Sequence, residues 1–217
     1  MKNIVILISG RGSNMEALIA ARDAGHLPVN IAAVISNRPA AMGLETATKA
    51  GIPVHFIDHK AFSGRETFDA ALAECIDGFA PDLVVLAGFM RILTDGFVRH
   101  YEGRLMNIHP SLLPSFPGLH THQRALAEGV RIHGCTVHFV TPTLDHGPVI
   151  IQAAIPVLDG DTEESLAARI LVQEHKVYPQ AVRWFAEDKL RLENGRVLLA
   201  ADLDLADKAV LISPEVR

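Results

Sequence analysis

The amino-acid sequence predicts an α/β fold in which helices cover a parallel sheet. Strand-like runs alternate with helix-like stretches through the first half of the chain, and parallel strands need connections of that length. Residues 3–8 are almost entirely apolar and rich in β-branched side chains, as expected for a strand buried on both faces. The chain has 217 residues, of which 49% are hydrophobic and 21% charged, so its composition is that of an ordinary globular protein.

Apolar spacing defines the elements of the first half in turn. A helix is predicted after the first strand because Met15, Leu18 and Ile19 recur at helical spacing. Short β-branched runs between the helices are typical of further strands. The predicted strands lie at residues 3–8, 31–35, 53–57, 83–86 and 105–108, and the predicted helices at residues 14–24, 43–50 and 65–79.

In the second half the pattern changes to antiparallel pairing. Two β-rich runs, residues 134–140 and 149–157, are joined by residues 141–148, and so short a connection predicts that the two strands pair antiparallel. Residues 162–189 then predict a long amphipathic helix. We expect Pro179 to kink or divide this helix.

The chain is predicted to end in a hairpin and a tail. Asn194 and Gly195 form a strong two-residue turn signal within residues 190–199, whereas residues 201–217 have no clear period and are left as a loose tail. Because no internal repeat or linker is visible, a single domain over residues 1–217 is the economical interpretation.

Charge and cysteine usage exclude several classes of protein. Lys and Arg number 20 against 25 Asp and Glu, a net charge of −5, and there are no basic runs, so we expect no nucleic acid and no membrane as partner. No apolar run is long enough for a signal peptide or a membrane span. Cys75 and Cys135 form no CxxC pair, which favours buried thiols in a reducing compartment. A cytoplasmic protein is therefore expected.

The first candidate site is the sequence SGRGSN at residues 9–14, between the first strand and the first helix. Glycines let backbone amides approach a ligand, and a helix N-terminus attracts an anion. The Walker lysine and the last glycine of the dinucleotide fingerprint are missing, so a monophosphate fits better than ATP or NAD. The alternative is that Ser13 or Asn14 only caps the helix.

The second candidate is the sequence MNIHPSLLP at residues 106–114, where the fifth strand ends. Asn107 and His109 point to the same side of an extended strand, and Pro110 cannot continue the ladder. Ligands bind at the carboxyl ends of such strands, and a carboxamide beside an imidazole suits a developing oxyanion. The alternative is an Asn and a His satisfied within the core.

Asp145, in the turn LDHGP at residues 144–148, is the third candidate. A carboxylate close to His109 would favour the imidazolium, whereas alone the segment is an ordinary turn. His120 and His122 suggest a metal pair, but no further ligand follows at a zinc-site spacing, so we expect no metal. Recognisable serine and cysteine nucleophile motifs are also missing, which favours direct transfer or hydrolysis over a covalent intermediate.

Six segments carry a family resemblance: LISGRGSN, LAGFMRIL, LMNIHPSLLPSFPGLHTH, GCTVHFV, LDHGPVIIQ and QEHKVYP. They run in unbroken order, and from residue 3 to about residue 194 the chain resembles the phosphoribosylglycinamide formyltransferases, enzymes of purine synthesis. The resemblance implies the formyltransferase fold, a Rossmann-like, mostly parallel mixed sheet with helices on both faces. It also implies a nucleotide-binding half at about residues 1–100 and a folate-binding, catalytic half at about residues 101–200.

The reaction implied by the resemblance moves the formyl group of 10-formyltetrahydrofolate, the co-substrate, to the amine of glycinamide ribonucleotide in de novo IMP biosynthesis. The catalytic residues would be Asn107 and protonated His109, which stabilise a tetrahedral intermediate after direct attack, and Asp145, which keeps His109 charged. The protein would be a monomer or a weak homodimer. The implied ribonucleotide-binding residues are Gly12, Ser13, Asn14 and Glu174, and the implied folate-binding residues are Arg65, Met90, Arg91, Ile92, Leu93, Asn107, Thr141, Pro142, Thr143, Leu144 and Asp145.

Three other functions share part of this pattern. Formyltetrahydrofolate hydrolase has the same histidine-proline segment and passes the formyl group to water, but Glu174 and the phosphate loop favour an amine acceptor. Methionyl-tRNA formyltransferase needs a basic C-terminal domain, whereas this chain ends in a short acidic tail. A non-enzymatic folate-binding protein is the alternative from another class, and it is disfavoured because all three catalytic side chains are present.

Overall fold

The computed structural model describes residues 1–200 together with Leu211 and Ser213. Its strands are β1 (Lys2–Ile8), β2 (Val29–Ser36), β3 (Val54–Phe56), β4 (Leu83–Leu86), β5 (Leu105–His109), β6 (Ile132–Phe139), β7 (Val149–Pro156), β8 (Leu190–Glu193) and β9 (Arg196–Leu199). Its α-helices are α1 (Ser13–Asp23), α2 (Met42–Lys49), α3 (Arg65–Asp77), α4 (Asp95–His100), α5 (Thr121–Ala127) and α6 (Glu163–Ala186), and a short 3₁₀ helix covers His59–Ala61.

One mixed sheet of seven strands forms the centre of the molecule, in the order β3-β2-β1-β4-β5-β6-β7. The strands from β1 to β5 pair in parallel, and β6 pairs antiparallel with both β5 and β7. The order reverses beside β1, so that β2 and β4 flank it on opposite sides. The carboxyl ends of β1, β4 and β5 therefore meet at one edge, where ligands bind in sheets of this kind.

The two faces of β1 bury different helices. Ile4, Ile6 and Ile8 belong to a fully buried cluster that includes residues of α1, α2 and α6. Val5 and Leu7 point the other way and pack with residues of α3 and α4. Because alternate side chains of a strand face opposite sides, this arrangement covers the sheet with helices on both faces and confirms the predicted fold class.

The predicted strands and helices are all present, and the structure adds two short α-helices. Most predicted bounds fall within one or two residues of the observed ones, and β5 runs one residue further than predicted, to His109. The helices α4 and α5 were not predicted. They span only six and seven residues, which is too short for a helical period to stand out from a loop.

Of the two alternatives expected at Pro179, a kink or a division of the last long helix, division is wrong. The helix α6 is continuous over 24 residues with Pro179 inside it, although it ends at Ala186, three residues before the predicted end. Neighbouring Tyr178 is fully buried, and its hydroxyl oxygen lies 2.9 Å from the carbonyl oxygen of Leu86 and 3.0 Å from that of Met106. Packing against β4 and β5 thus holds the helix across the missing amide hydrogen.

The predicted hairpin is present as β8 and β9. Asn194 and Gly195 both have positive φ, 50° and 73°, as a two-residue turn of this type requires. The tail predicted at residues 201–217 lies outside the described residues apart from Leu211 and Ser213. None of the helices in the described part of the chain combines the length and apolar character needed to cross a membrane.

Close packing of β6 on β7 generates a stability prediction at Gly134. A Cβ at this position would lie 1.9 Å from the carbonyl oxygen of Ala153, so the two strands would have to separate. We expect Gly134→Ala to lower the free energy of unfolding by about 1–3 kcal/mol, measured by urea denaturation. The control is Gly160→Ala, where the added methyl meets no atom of the described residues within 4 Å; an equal loss in both variants would contradict the prediction.

Candidate active site

Asn107 and His109 lie on the same side of β5 at its carboxyl end. Asn107 is half-buried, and His109 is 6% exposed. Their alternation with the fully buried Met106 follows from the period of two in a strand, and Pro110 follows immediately. The structure thus puts both side chains at the edge of the sheet where β1, β4 and β5 end.

The imidazole ring of His109 is held from both sides. Its Nε2–H donates to the carbonyl oxygen of Phe116 at 3.0 Å, and its Nδ1 lies 3.6 Å from the Oδ2 of Asp145. The second distance is that of a charge contact rather than a hydrogen bond. Protonation of Nδ1 therefore gives an imidazolium beside a carboxylate whose side chain is only 9% exposed.

Asp145 reaches His109 because the loop between β6 and β7 folds back over the sheet. Phe139 donates its N–H to the carbonyl of Pro148 at 3.0 Å, and a Cβ on Gly147 would lie 1.7 Å from the carbonyl oxygen of Phe139. The carboxylate then accepts the N–H of Gly118 at 2.8 Å. The segment is a turn, as its sequence indicates, but it also delivers a carboxylate to β5.

His138 orients the Asn107 carboxamide. The two residues are directly paired between β5 and β6, and the Nδ2 of Asn107 lies 3.2 Å from the Nε2 of His138. Because Nδ1–H of His138 donates to the Phe139 carbonyl at 3.0 Å, its Nε2 accepts from Asn107. Burial lowers the pKa of His138, which keeps the ring neutral in this role. The second amide hydrogen of Asn107 is left for a ligand.

The predicted phosphate loop lines a cavity of about 230 Å³. Gly12 is the N-cap of α1 with φ 73°, a conformation that suits glycine, and no side chain among residues 1–200 caps the helix there. The interpretation of Ser13 or Asn14 as a capping residue is therefore wrong, and the first amides of α1 lack partners within the helix. The cavity is lined by Ser9, Gly10, Arg11, Gly12, Ser13, Asn14, Arg38, Ala87, Gly88 and Met90.

Asn14 and Glu174 are joined although 160 residues separate them in sequence. The Nδ2 of Asn14 donates to the Oε2 of Glu174 at 2.7 Å, and the two residues are 8% and 7% exposed. Burial raises the pKa of Glu174, while the hydrogen bond from Asn14 and the proximity of His109 oppose that shift. The predicted ribonucleotide residues thus form one cluster that is electrostatically coupled to His109.

The residues expected to bind folate lie on several elements of the structure. Met90, Ile92 and Leu144 are more than half exposed although they are large and apolar. Arg91 lies over the ring of Phe68 at 4.9 Å. Leu93 packs into the core; Arg65 is exposed at the first position of α3; and Thr141, Pro142 and Thr143 occupy the loop that leads to Asp145.

Comparison with known proteins gives the family of the chain. The formyl transferase family matches residues 2–182. This chain belongs to that family. Phosphoribosylglycinamide formyltransferase of Escherichia coli strain K12 is 52% identical over 91% of this chain and 93% of that protein. The crystal structure of glycinamide ribonucleotide transformylase 1 from Symbiobacterium toebii is 48% identical over 92% of this chain and 94% of its own, with a TM-score of 0.90.

A formyltransferase backbone is also found in an enzyme with a different activity. A formyltetrahydrofolate deformylase from Pseudomonas syringae matches 92% of this chain and 66% of its own with a TM-score of 0.84, at 29% identity. The backbone alone therefore does not decide which molecule accepts the formyl group. That choice depends on the side chains at the site rather than on the fold.

Two further histidines of this formyltransferase, His122 and His133, lie near the residues that contact His109. Sequence reasoning did not connect them with the site. His133 is 1% exposed, its ring meets that of Phe116 at 5.6 Å, and the His122 ring lies 5.5 Å from it. The pKa of His133 is lowered to about 4, mainly by burial and to a smaller extent by the neighbouring His122 and His109. Neither their spacing nor their neighbours in sequence point to this cluster.

Among the described residues no group of His, Cys, Asp and Glu side chains could hold a metal ion.

The neutral state of His133 predicts how the stability of this formyltransferase depends on pH. Between pH 6.5 and about 4 the unfolded chain binds a proton at this position that the folded protein does not, so stability falls as the pH is lowered. The loss from pH 7 to pH 5 should be smaller in His133→Gln than in the parent protein by about 2 kcal/mol. Urea unfolding at both pH values measures it, and equal losses in the two proteins would refute the assignment.

Proposed function

We propose that this formyltransferase moves the formyl group of 10-formyltetrahydrofolate to the amine of phosphoribosylglycinamide, giving the N-formyl product and tetrahydrofolate, a step of de novo IMP biosynthesis. The observation that carries the proposal is the position of His109, between the Phe116 carbonyl and Asp145, beside Asn107 and within electrostatic reach of Glu174. A formyl donor and an amine acceptor can meet there. The closely similar phosphoribosylglycinamide formyltransferases support the same substrates.

Asn107 and His109 stabilise the negative oxygen that forms when the amine adds to the formyl carbon. The N–H at Nε2 of His109 is occupied by the Phe116 carbonyl, so the Nδ1–H of the imidazolium is the hydrogen that can reach the oxyanion. One hydrogen of the Asn107 amide is held by His138, which leaves the other for the same oxygen. Two fixed donors in a water-poor site lower the barrier more than mobile water does.

Asp145 has an electrostatic and a proton-transfer role. Its carboxylate lies beside Nδ1 of His109 and favours the protonated ring. Acting through a water molecule, it helps to move the proton from the attacking amine to the folate nitrogen that departs. The bond from the amine nitrogen to the formyl carbon forms, the bond from the folate nitrogen to that carbon breaks, and the folate nitrogen leaves protonated.

The two ends of the ribonucleotide bind different parts of the cluster. The 5′-phosphate lies against the backbone amides at Gly12, Ser13 and Asn14, where the N-terminus of α1 attracts it. Glu174 accepts a hydrogen bond from the amino end and aims the nitrogen at the formyl carbon. Residues of about 1–100 thus supply the phosphate loop, and residues of about 101–200 the catalytic side chains.

The pterin ring binds among the exposed apolar side chains of Met90, Ile92 and Leu144. Large apolar groups at this exposure gain favourable burial only when a ligand covers them. The chain between Thr141 and Asp145 closes the other side. Arg65, at the start of α3, pairs with a carboxylate of the glutamate tail.

The test of the activity is a measurement of deformylated folate by absorbance, with and without phosphoribosylglycinamide. Release that requires the ribonucleotide supports the transferase. Release at the same rate without it supports the alternative, hydrolysis, which the structural likeness to a deformylase makes the relevant competitor.

Replacing His109 tests the oxyanion donor. We expect His109→Ala to lower kcat by about 10²–10³-fold because one of two fixed donors is lost, with little change in the affinity for either substrate. His26→Ala, an exposed histidine just beyond α1, is the matched control and should keep normal kcat. Near-normal turnover in His109→Ala would overturn the mechanism.

Replacing Glu174 tests the acceptor end. Glu174→Gln keeps an oxygen that can accept from Asn14 but removes the charge. We expect the KM for the ribonucleotide to rise by about 10-fold or more, since a hydrogen bond to a charged group contributes about 1.5–3 kcal/mol, while the KM for the folate stays within about twofold. Steady-state kinetics with each substrate varied in turn measures both constants, and a selective rise in the folate KM would contradict the assignment.

A further inference from the structure

The hydroxyl of Ser9 is buried between two loops. The proposed function assigns the phosphate to the loop of residues 10–14 and the pterin to the loop of residues 88–93. Ser9 follows β1 and is 3% exposed. Its Oγ–H donates to the Oδ1 of Asn37 at 2.6 Å and its Oγ accepts the backbone N–H of Met90 at 2.8 Å. Its own backbone N–H donates to the carbonyl of Gly88 at 3.2 Å. The side chain therefore uses its one hydrogen and one lone pair on two different segments.

Ser9 also lies beside the proposed phosphate-binding loop. Ser9 directly precedes the loop of residues 10–14, and Ser9 and Met90 line the same cavity. The loop of residues 88–93 has no regular secondary structure, and Met90 and Ile92 project into solvent. The position of the 88–93 loop beside the phosphate loop therefore depends on the few hydrogen bonds of its backbone.

The acceptor of the Ser9 hydroxyl is itself held rigidly. Asn37 follows β2, is 2% exposed, and its carbonyl accepts the Nδ1–H of His59 at 2.8 Å. The His59 ring meets Phe68 of α3 edge-on at 6.3 Å, and the Arg91 guanidinium lies over the Phe68 ring. Both Met90 and Arg91 are thus anchored to one buried network at the ends of β1 and β2 and the start of α3.

We propose that Ser9 is a positioning residue that fixes the pterin-binding loop relative to the phosphate loop, so that the formyl carbon meets the amine beside His109. The proposal rests on the proposed function, because that function assigns the two loops to the two substrates. Transfer between two bound molecules requires their reacting atoms to be held in contact, and a small displacement of one loop costs rate as well as affinity.

Ser9→Ala tests the proposal by steady-state kinetics. The backbone bond to Gly88 remains, but the N–H of Met90 loses its acceptor. We expect the KM for 10-formyltetrahydrofolate to rise about 3–10-fold, the change that one hydrogen bond supports, together with a fall in kcat. A variant with the parent values of both constants would overturn the proposal.

The matched control is Ser36→Ala at the end of the neighbouring strand. Ser36 is fully buried as well, but in the part of the chain that the structure describes its hydroxyl bonds only within its own turn, to the carbonyl and the N–H of Arg38 at 2.9 and 3.0 Å. The folate KM should stay at the parent value in this variant. An equal rise in both variants would mean a general loss of packing and would overturn the proposal, and thermal unfolding of both establishes that they fold.

A double-mutant cycle separates positioning by the network from independent effects. Asn37→Ala removes the acceptor of the Ser9 hydroxyl, so it should raise the folate KM in the parent protein and have little further effect in Ser9→Ala. Fully additive effects on the folate KM would overturn the proposal. Failure of the proposed function has a different signature, since the parent protein would then release tetrahydrofolate without needing the ribonucleotide.

Discussion

The contact between His109 and Asp145 constrains much of the surrounding backbone. A carboxylate can stand 3.6 Å from the ring only if the loop after β6 turns back over the sheet, and that turn passes so close to the Phe139 carbonyl that Gly147 can carry no side chain. The other side of the ring needs the Phe116 carbonyl, which belongs to the long connection between β5 and α5. Both segments are joined where the N–H of Gly118 donates to Asp145. The histidine is therefore fixed by loops that contact each other.

The change from parallel pairing of β4 with β5 to antiparallel pairing of β5 with β6 determines which elements surround His109. The parallel part ends β1, β4 and β5 at one edge and supplies a helix N-terminus for an anion, as doubly wound sheets do. The antiparallel β6 then runs back along β5, so His138 stands directly opposite Asn107. The long helix α6 crosses behind them and contributes Glu174 from far along the chain. The N-terminus of α1 and the polar side chains of β5 thus lie at the same edge of a single sheet.

Sequence reasoning identified the strands and the side chains of β5 more readily than the groups that hold them. Continuous apolar runs such as residues 83–86 and the period of two at Asn107 and His109 are local signals, and the structure follows them. Asp145 looks like any turn residue until the fold-back of its loop is known. The Phe116 carbonyl and the Gly118 amide are backbone groups, so the residue types in the sequence do not indicate their contacts. Pro179 does not divide α6, because the tertiary packing of Tyr178 outweighs the local effect of the proline.

Three histidines near His109 have lowered pKa values; His133 and His138 are buried, and His122 is half-buried. Burial is the main cause of the lowered pKa of His122, His133 and His138, and the proximity of His109 acts in the same direction on all three. A positive charge on any of these three rings would cost desolvation in this poorly solvated region, which favours their neutral forms. In the proposed mechanism the oxyanion therefore meets one hydrogen of the His109 ring and one amide hydrogen of Asn107. Donors that are fixed at the atom where the reaction develops charge are the condition under which acyl transfer is accelerated.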